Sequence, residues 1–152
     1  RSYPDQKAIW DGKWNRPPYA SEKDPMKRAL AILKYSSMPG TSRHHWGTDF
    51  DLNELTNEYY ESGEGKVLYR WMTEHAGRYG FCQPYTSGRK GGYIEEKWHW
   101  SYRPLASLFL ARWNDLYRKD PTAFSRAGLF SGSEQAGRLA PEYVNTVSGS
   151  CR

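Results

Sequence analysis

Apolar residues recur with helical spacing in five stretches of this chain and with alternating spacing in two others. The first helical stretch runs from Pro4 to Trp14: proline suits a first turn, and Ala8, Ile9 and Trp10 supply apolar weight. Asn15 to Ala20, with Pro17-Pro18, reads as a loop. A second helix is expected from about Asp24 to Tyr35, with Met26, Leu30, Ile32 and Leu33 on its buried face. A third is expected from Lys66 to Arg78, stopped by Gly80. The clearest spans Pro104 to Arg118, with Leu105, Leu108, Phe109, Trp113 and Leu116 predicted to face inward. Residues Ser133 to Val147 read as further helix.

The alternating stretches predict strands. From Trp46 to Leu52, Trp46, Thr48, Phe50 and Leu52 fall on one face, and Gly47, Asp49 and Asp51 on the other. Tyr93 to Tyr102 is the second strand, preceded by a glycine-rich loop from Ser87 to Gly92. Short strands carrying polar residues among several helices imply an α+β domain with a small antiparallel sheet. No repeat or low-complexity linker divides the chain, so residues 1–152 are expected to form one domain. The abrupt opening on Arg1-Ser2-Tyr3 suggests a processed or trimmed domain lacking a short N-terminal segment.

Composition narrows the function classes. Mean hydropathy is −0.92 and no apolar run approaches the ~20 residues that cross a bilayer, so no transmembrane segment is expected. Aromatics make up 16% of the chain, with seven Trp and twelve Tyr, enough to line a groove as well as fill a core. A formal charge of +5 favours anionic partners, a wall polymer as readily as a nucleic acid. No nucleic-acid motif accompanies that charge, so a nucleic-acid partner is not expected. The two cysteines, Cys82 and Cys151, lie in no Cys-x-x-Cys pair, which leaves a thiolate metal site unsupported. In an exported protein they can form one disulfide tying the C-terminal tail to the body.

The candidate chemistry sits in two segments. Ser42-Arg43-His44-His45-Trp46-Gly47-Thr48-Asp49-Phe50-Asp51 offers imidazoles and carboxylates close together, and Glu95-Glu96-Lys97-Trp98-His99-Trp100 adds an imidazole with a carboxylate three residues before it. His44, Asp51 and His99 make a three-ligand zinc set that leaves a fourth position for water. Zinc makes such a water acidic, and Glu96 can take its proton. Adjacent histidines are more often surface or capping residues than ligands; with Asp51 and the Glu96/His99 pair added, the residues alone leave both readings open. Strict alternation along the second strand would place Glu96 and His99 on opposite faces, requiring a bulge or strand end to re-aim one of them.

These motifs resemble those of the VanY-like zinc D-alanyl-D-alanine carboxypeptidases, a family sharing its fold with Hedgehog N-terminal domains and VanX dipeptidases. Ser42, His44, Gly47 and Asp51, preceded by Pro39-Gly40, match Ser-x-His-x-x-Gly-x-Ala-x-Asp. Glu96, Trp98, His99 and Trp100 match Glu-Pro-Trp-His-Trp. Arg1-Ser2-Tyr3 with Gln6 looks like the end of the family's Ser-Gly-Tyr-Arg-Ser segment, and Tyr79-Gly80-Phe81 like its Tyr-Gly-Phe. The resemblance implies zinc ligands His44, Asp51 and His99, the base Glu96, an oxyanion- or carboxylate-holding Arg1, and substrate hydrogen bonds from Ser42 and Gln6. Asp49 stands where the motif carries a small Ala; it is expected either to bind a substrate amine or to orient a ligand histidine. Lys97 replaces a proline and is expected to attract an acidic peptide or to be solvated.

The implied activity is zinc-dependent removal of the terminal D-Ala from peptidoglycan stem peptides, by a monomer in the periplasm or at the bacterial cell surface. An L,D-carboxypeptidase, a dipeptidase, a wall endopeptidase and a non-catalytic zinc-stabilised wall-binding module remain alternatives, because pocket loops set specificity.

Overall fold

The computed structural model describes residues 1–152. Helix α1 covers Tyr3–Trp14, capped by Ser2, whose hydroxyl accepts from the Asp5 amide while Asp5 reaches back to the Ser2 amide. Helix α2, Pro25–Leu33, is capped by the Asp24 carboxylate. Then follow strand β1 (Asp49–Asp51), helix α3 (Gly63–His75), strand β2 (Phe81–Cys82), strand β3 (His99–Tyr102) and helix α4 (Arg103–Lys119). The tail forms two short helices, α5 (Ser133–Ala136) and α6 (Ala140–Asn145), separated by a 3₁₀ turn, where one longer helix was predicted.

The sheet is antiparallel in the order β1-β3-β2. Its register sets Asp51 opposite His99, Phe50 opposite Trp100, and Asp49 opposite Ser101. Trp100 faces α3, packing with Met72 and Ala76, whereas His99 and Ser101 point to the other side. On that side the main core gathers Trp10, Ile32, Leu33 and Met38 with Trp113, Phe130, Tyr143 and Val144. The sheet thus has apolar packing on both sides, with His99 and Ser101 as polar residues on the side of the main core. No helix is long and apolar enough to cross a membrane.

Both predicted strands are shorter than their patterns suggested. Residues Arg43–Trp46 wind into a 3₁₀ turn, which ends at Gly47 in the left-handed region (φ +68°) before β1 begins. A side chain is disfavoured in that conformation, so glycine permits the abrupt change from turn to strand. Residues 93–98 do not pair in the sheet: the Glu96 amide donates to the Tyr85 carbonyl and the Lys97 amide to Asn57 Oδ1. Glu96 therefore lies outside the strand, so it shares a side with His99 without a bulge.

The predicted inner face of α4 is corrected. Leu105, Leu108, Phe109 and Leu116 are exposed, and the buried stripe is Ala106, Leu110 and Trp113. Likewise Leu30 is exposed on α2, where Ala29 takes the buried place beside Ile32 and Leu33. Cys82 and Cys151 form a disulfide with Cα atoms 5.6 Å apart.

Candidate metal centre and active site

Register and turn geometry bring the three candidate ligands together. His44 leaves the 3₁₀ turn with Nε2 3.3 Å from Asp51 Oδ2, and His99 places Nδ1 3.1 Å from Asp51 Oδ1. One ligand atom from each of the three lies within 4.8 Å of the others. Tetrahedral zinc with bonds of ~2.0–2.1 Å sets its ligand atoms ~3.3 Å apart, so these two contacts have the spacing such an ion requires.

The nitrogens left over are also committed. His44 Nδ1 lies 3.1 Å from the main-chain carbonyl oxygen of Asp49, and His99 Nε2 lies 2.9 Å from Asp49 Oδ2. A carbonyl and a carboxylate can only accept, so each of these nitrogens carries a proton and donates. His44 Nε2 and His99 Nδ1 face Asp51 and are the nitrogens that would exchange a proton for an ion. Donor type, spacing and tautomer all fit a zinc ion.

Electrostatics agree with the geometry. Burial works against charge on the His99 ring, yet hydrogen bonds to Asp49 and Asp51 outweigh it and lift its pKa to about 9. Burial alone would raise Asp51; hydrogen bonds from His44 and His99 overcome it and hold the carboxyl well below the usual range. Glu96 Oε2 lies 3.5 Å from His99 Nδ1. Burial, opposed by the His99 charge, lifts Glu96 above the ordinary carboxylate pKa. Two neighbouring carboxylates are thereby driven apart, one held ionised and the other made more basic.

A cavity of about 630 Å³ opens over this cluster. His44, Asp51, Glu96 and His99 form its floor, with Tyr85, Tyr93, Ile94 and Trp98 among the apolar and aromatic lining. Arg1, Lys34 and Arg43 contribute positive charge, and Glu58 stands on the wall as well.

The family model for VanY, D-alanyl-D-alanine carboxypeptidase, matches residues 1–105. The chain belongs to this family. Among solved structures, the LdcB LD-carboxypeptidase is 26% identical, with a TM-score of 0.50 over 74% of this chain and 55% of LdcB. A mutant of the D,D-pentapeptidase VanY from a VanB-type vancomycin resistance cassette, in complex with Zn(II), is 28% identical. Its TM-score is 0.50 over 67% of this chain and 56% of that one. The chain thus spans just over half the length of either protein. A comparison with curated proteins gave no match.

Of the residues anticipated from the VanY-like motifs, Arg1 and Ser42 line the cavity. The Ser42 hydroxyl is buried and has no hydrogen-bond partner within the protein. Gln6 does not reach the cavity, which corrects its expected contact with substrate. It is wholly buried, donates to the Ser37 carbonyl and accepts from Arg1 Nη1 at 2.9 Å, so it steadies Arg1 instead. Asp49 is also withdrawn: its side chain is fully buried beneath the ligands, out of reach of a substrate amine, and the other expected role, orienting a histidine, is the one its position allows. Lys97 pairs with Glu61 and lies over the Tyr69 ring, away from the cavity.

Three contributors escaped the sequence reading. They are Arg43, Ser101 and Tyr85, none of which a motif or spacing singled out. Arg43 and Ser101 both bind Asp49, and the Tyr85 ring lies 4.8 Å from the His99 ring.

Proposed function

We propose that the protein is a zinc-dependent carboxypeptidase that removes the C-terminal D-Ala from peptidoglycan stem peptides. The observation that carries this reading is the His44–Asp51–His99 cluster with Glu96 beside it, on the floor of a cavity large enough for several peptide residues. His44 Nε2, an Asp51 oxygen and His99 Nδ1 would hold the ion. When bound, zinc acidifies a water molecule and polarises a carbonyl.

The chain's own groups supply the remainder. Glu96, made basic by burial, takes a proton from the attacking water and returns it to the leaving amine. Arg1, held by Gln6, offers a planar guanidinium to the developing oxyanion or to the substrate's terminal carboxylate. The unpartnered Ser42 hydroxyl supplies a hydrogen bond to the peptide. A retained base argues against a purely structural zinc site, which would have no use for it.

The disulfide accords with an oxidising compartment, and so with action in the periplasm or outside the cell. The equal likeness to LdcB favours L,D-cleavage of a tetrapeptide as the second reading. Release of alanine from muramyl penta- and tetrapeptides by zinc-loaded protein separates the two. Pentapeptide cleavage that stops in chelator and in Glu96→Ala supports the first reading; cleavage of the tetrapeptide alone supports the second. Zinc bound without cleavage of either peptide refutes both.

A further inference from the structure

Beneath the candidate metal site lies a charged network centred on Asp49, which is not among the residues lining the cavity. The Asp49 carboxylate accepts four hydrogen bonds. Oδ2 receives Arg43 Nε at 2.8 Å and His99 Nε2 at 2.9 Å, and Oδ1 receives the hydroxyls of Thr48 and Ser101, both at 2.7 Å. Arg43 also donates from Nη2 to the Ser101 hydroxyl at 2.7 Å, and its guanidinium lies 4.7 Å from the Trp46 ring centroid. Arg43 and Asp49 are both essentially without solvent contact.

We infer that Asp49, clamped by Arg43 and Ser101, is a positioning residue that dictates which nitrogen of His99 meets the metal. With every acceptor direction taken, the carboxylate cannot turn. The His99 ring donating to it is held in one of its two flipped orientations, with Nδ1 facing Asp51. Asp49 serves both histidines by different means: its side chain holds His99, and its main-chain carbonyl holds His44. Replacing Asp49 by alanine removes the first contact and keeps the second. His44 is thus an internal control for His99. This inference rests on the zinc reading above, and its test separates the two.

Asp49→Ala alone strands the buried Arg43 cation and endangers folding, whereas removing both charges together is a milder change. The comparison is therefore between wild type, Arg43→Met/Asp49→Ala, and Asp49→Asn, which keeps an oxygen acceptor for His99. Zinc affinity is measured by competition with a chromophoric chelator. The coordinating nitrogens are read from ¹¹³Cd–¹⁵N couplings in cadmium-substituted protein labelled at histidine. In wild type, His99 is expected to couple through Nδ1 and His44 through Nε2. In the double variant, zinc affinity is expected to fall about tenfold to a hundredfold. His99 coupling there is expected to weaken or to appear at both nitrogens, while His44 is unchanged. Asp49→Asn is expected to retain the Nδ1 coupling and most of the affinity.

A double variant that melts lower yet binds zinc as tightly as wild type, through His99 Nδ1, overturns the inference and leaves a structural ion pair. If that variant does not fold, Asp49→Asn decides, since loss of Nδ1 coupling with the acceptor oxygen retained overturns it too. Wild type that binds no zinc refutes the metal reading itself, and this inference with it.

Discussion

Breaking the Cys82–Cys151 bond is expected to destabilise the protein by several kcal/mol. The bridge joins β2 to the last turn of the chain across a sequence separation of 69 residues. Closing a loop of that length removes chain entropy from the unfolded ensemble worth about 4 kcal/mol at 25 °C. Domains of this size are stable by only ~5–15 kcal/mol, so the bond is a large share of the whole. It is also locally supported: the Ser148 amide donates to the Pro84 carbonyl at 2.8 Å and the Ser148 hydroxyl to the Gln83 carbonyl at 2.7 Å. Val147 and Cys151 are buried against the core. Those contacts hold the tail in the folded state whether or not sulfur is bonded, so the disulfide's effect should fall mainly on the unfolded state. Urea unfolding of chelator-treated protein, with and without a phosphine reductant, tests this. Reduction should lower the unfolding free energy by about 4 kcal/mol, lower Tm by roughly 8–16 °C, and raise the urea slope as the unfolded chain expands. A Cys82→Ala/Cys151→Ala variant should follow the reduced protein, with an added cost for the lost sulfur volume. A change below about 1 kcal/mol on reduction would refute the entropic argument and assign the tail's stability to its hydrogen bonds and buried side chains.

Gln6→Ala should lower stability by about 1–3 kcal/mol, because the Ser37 carbonyl loses its donor. The same change should reduce kcat/KM roughly tenfold to a hundredfold by releasing Arg1, as read by alanine release. Glu96→Gln should cut kcat by about 10²–10⁴ while zinc stoichiometry, measured by metal analysis of the dialysed protein, stays at the wild-type value. Without metal, the folded-state pKa of His99 is raised to about 9, above its unfolded value of ~6.5. The stability that its proton contributes is full below about pH 6.5 and lost as pH climbs through 9, so Tm of chelator-treated protein should decline across that window. A Tm that rises there would contradict the assignment.

The chemistry of this site was more legible in the sequence than its support. His44, Asp51, Glu96 and His99 could be picked out because metal ligation and proton transfer demand particular side chains, and few residues satisfy them. The helices were legible where an apolar stripe met a cap, as at Asp24 before α2. The face of α4 was not: Leu105, Leu108, Phe109 and Leu116 form a stripe as regular as the buried one, and only the position of the core decides between them. The second strand was overread because residues 93–98 have strand-like composition, yet most of their main-chain hydrogen bonds go to Tyr85 and to the side chains of Asn57, Gln83 and Arg89, outside the sheet. Such individual contacts leave no periodic trace.

Gln6, Arg43 and Asp49 share a different difficulty. All three are polar or charged residues that composition places on the surface, and all three are buried because partners distant in sequence or across a turn satisfy them. That burial follows from the smallness of the sheet. Strands β1 and β3 pair over three residues, too short a ladder to fix side chains by strand packing alone. Each end of the site is instead held by a polar clamp: Gln6 fixes Arg1 at the rim, and Asp49 fixes His99 and His44 at the floor. The disulfide joins the same scaffold, because Cys82 stands opposite Ser101, whose hydroxyl is one of the four donors to Asp49. Because the tail's own hydrogen bonds and buried side chains keep Cys82 in place, reduction should leave the floor of the site intact for as long as the domain stays folded. Zinc affinity in phosphine reductant should stay at its oxidised value while the far-UV signal of the helices is intact; a fall in affinity before that signal changes would show that the disulfide shapes the folded site as well.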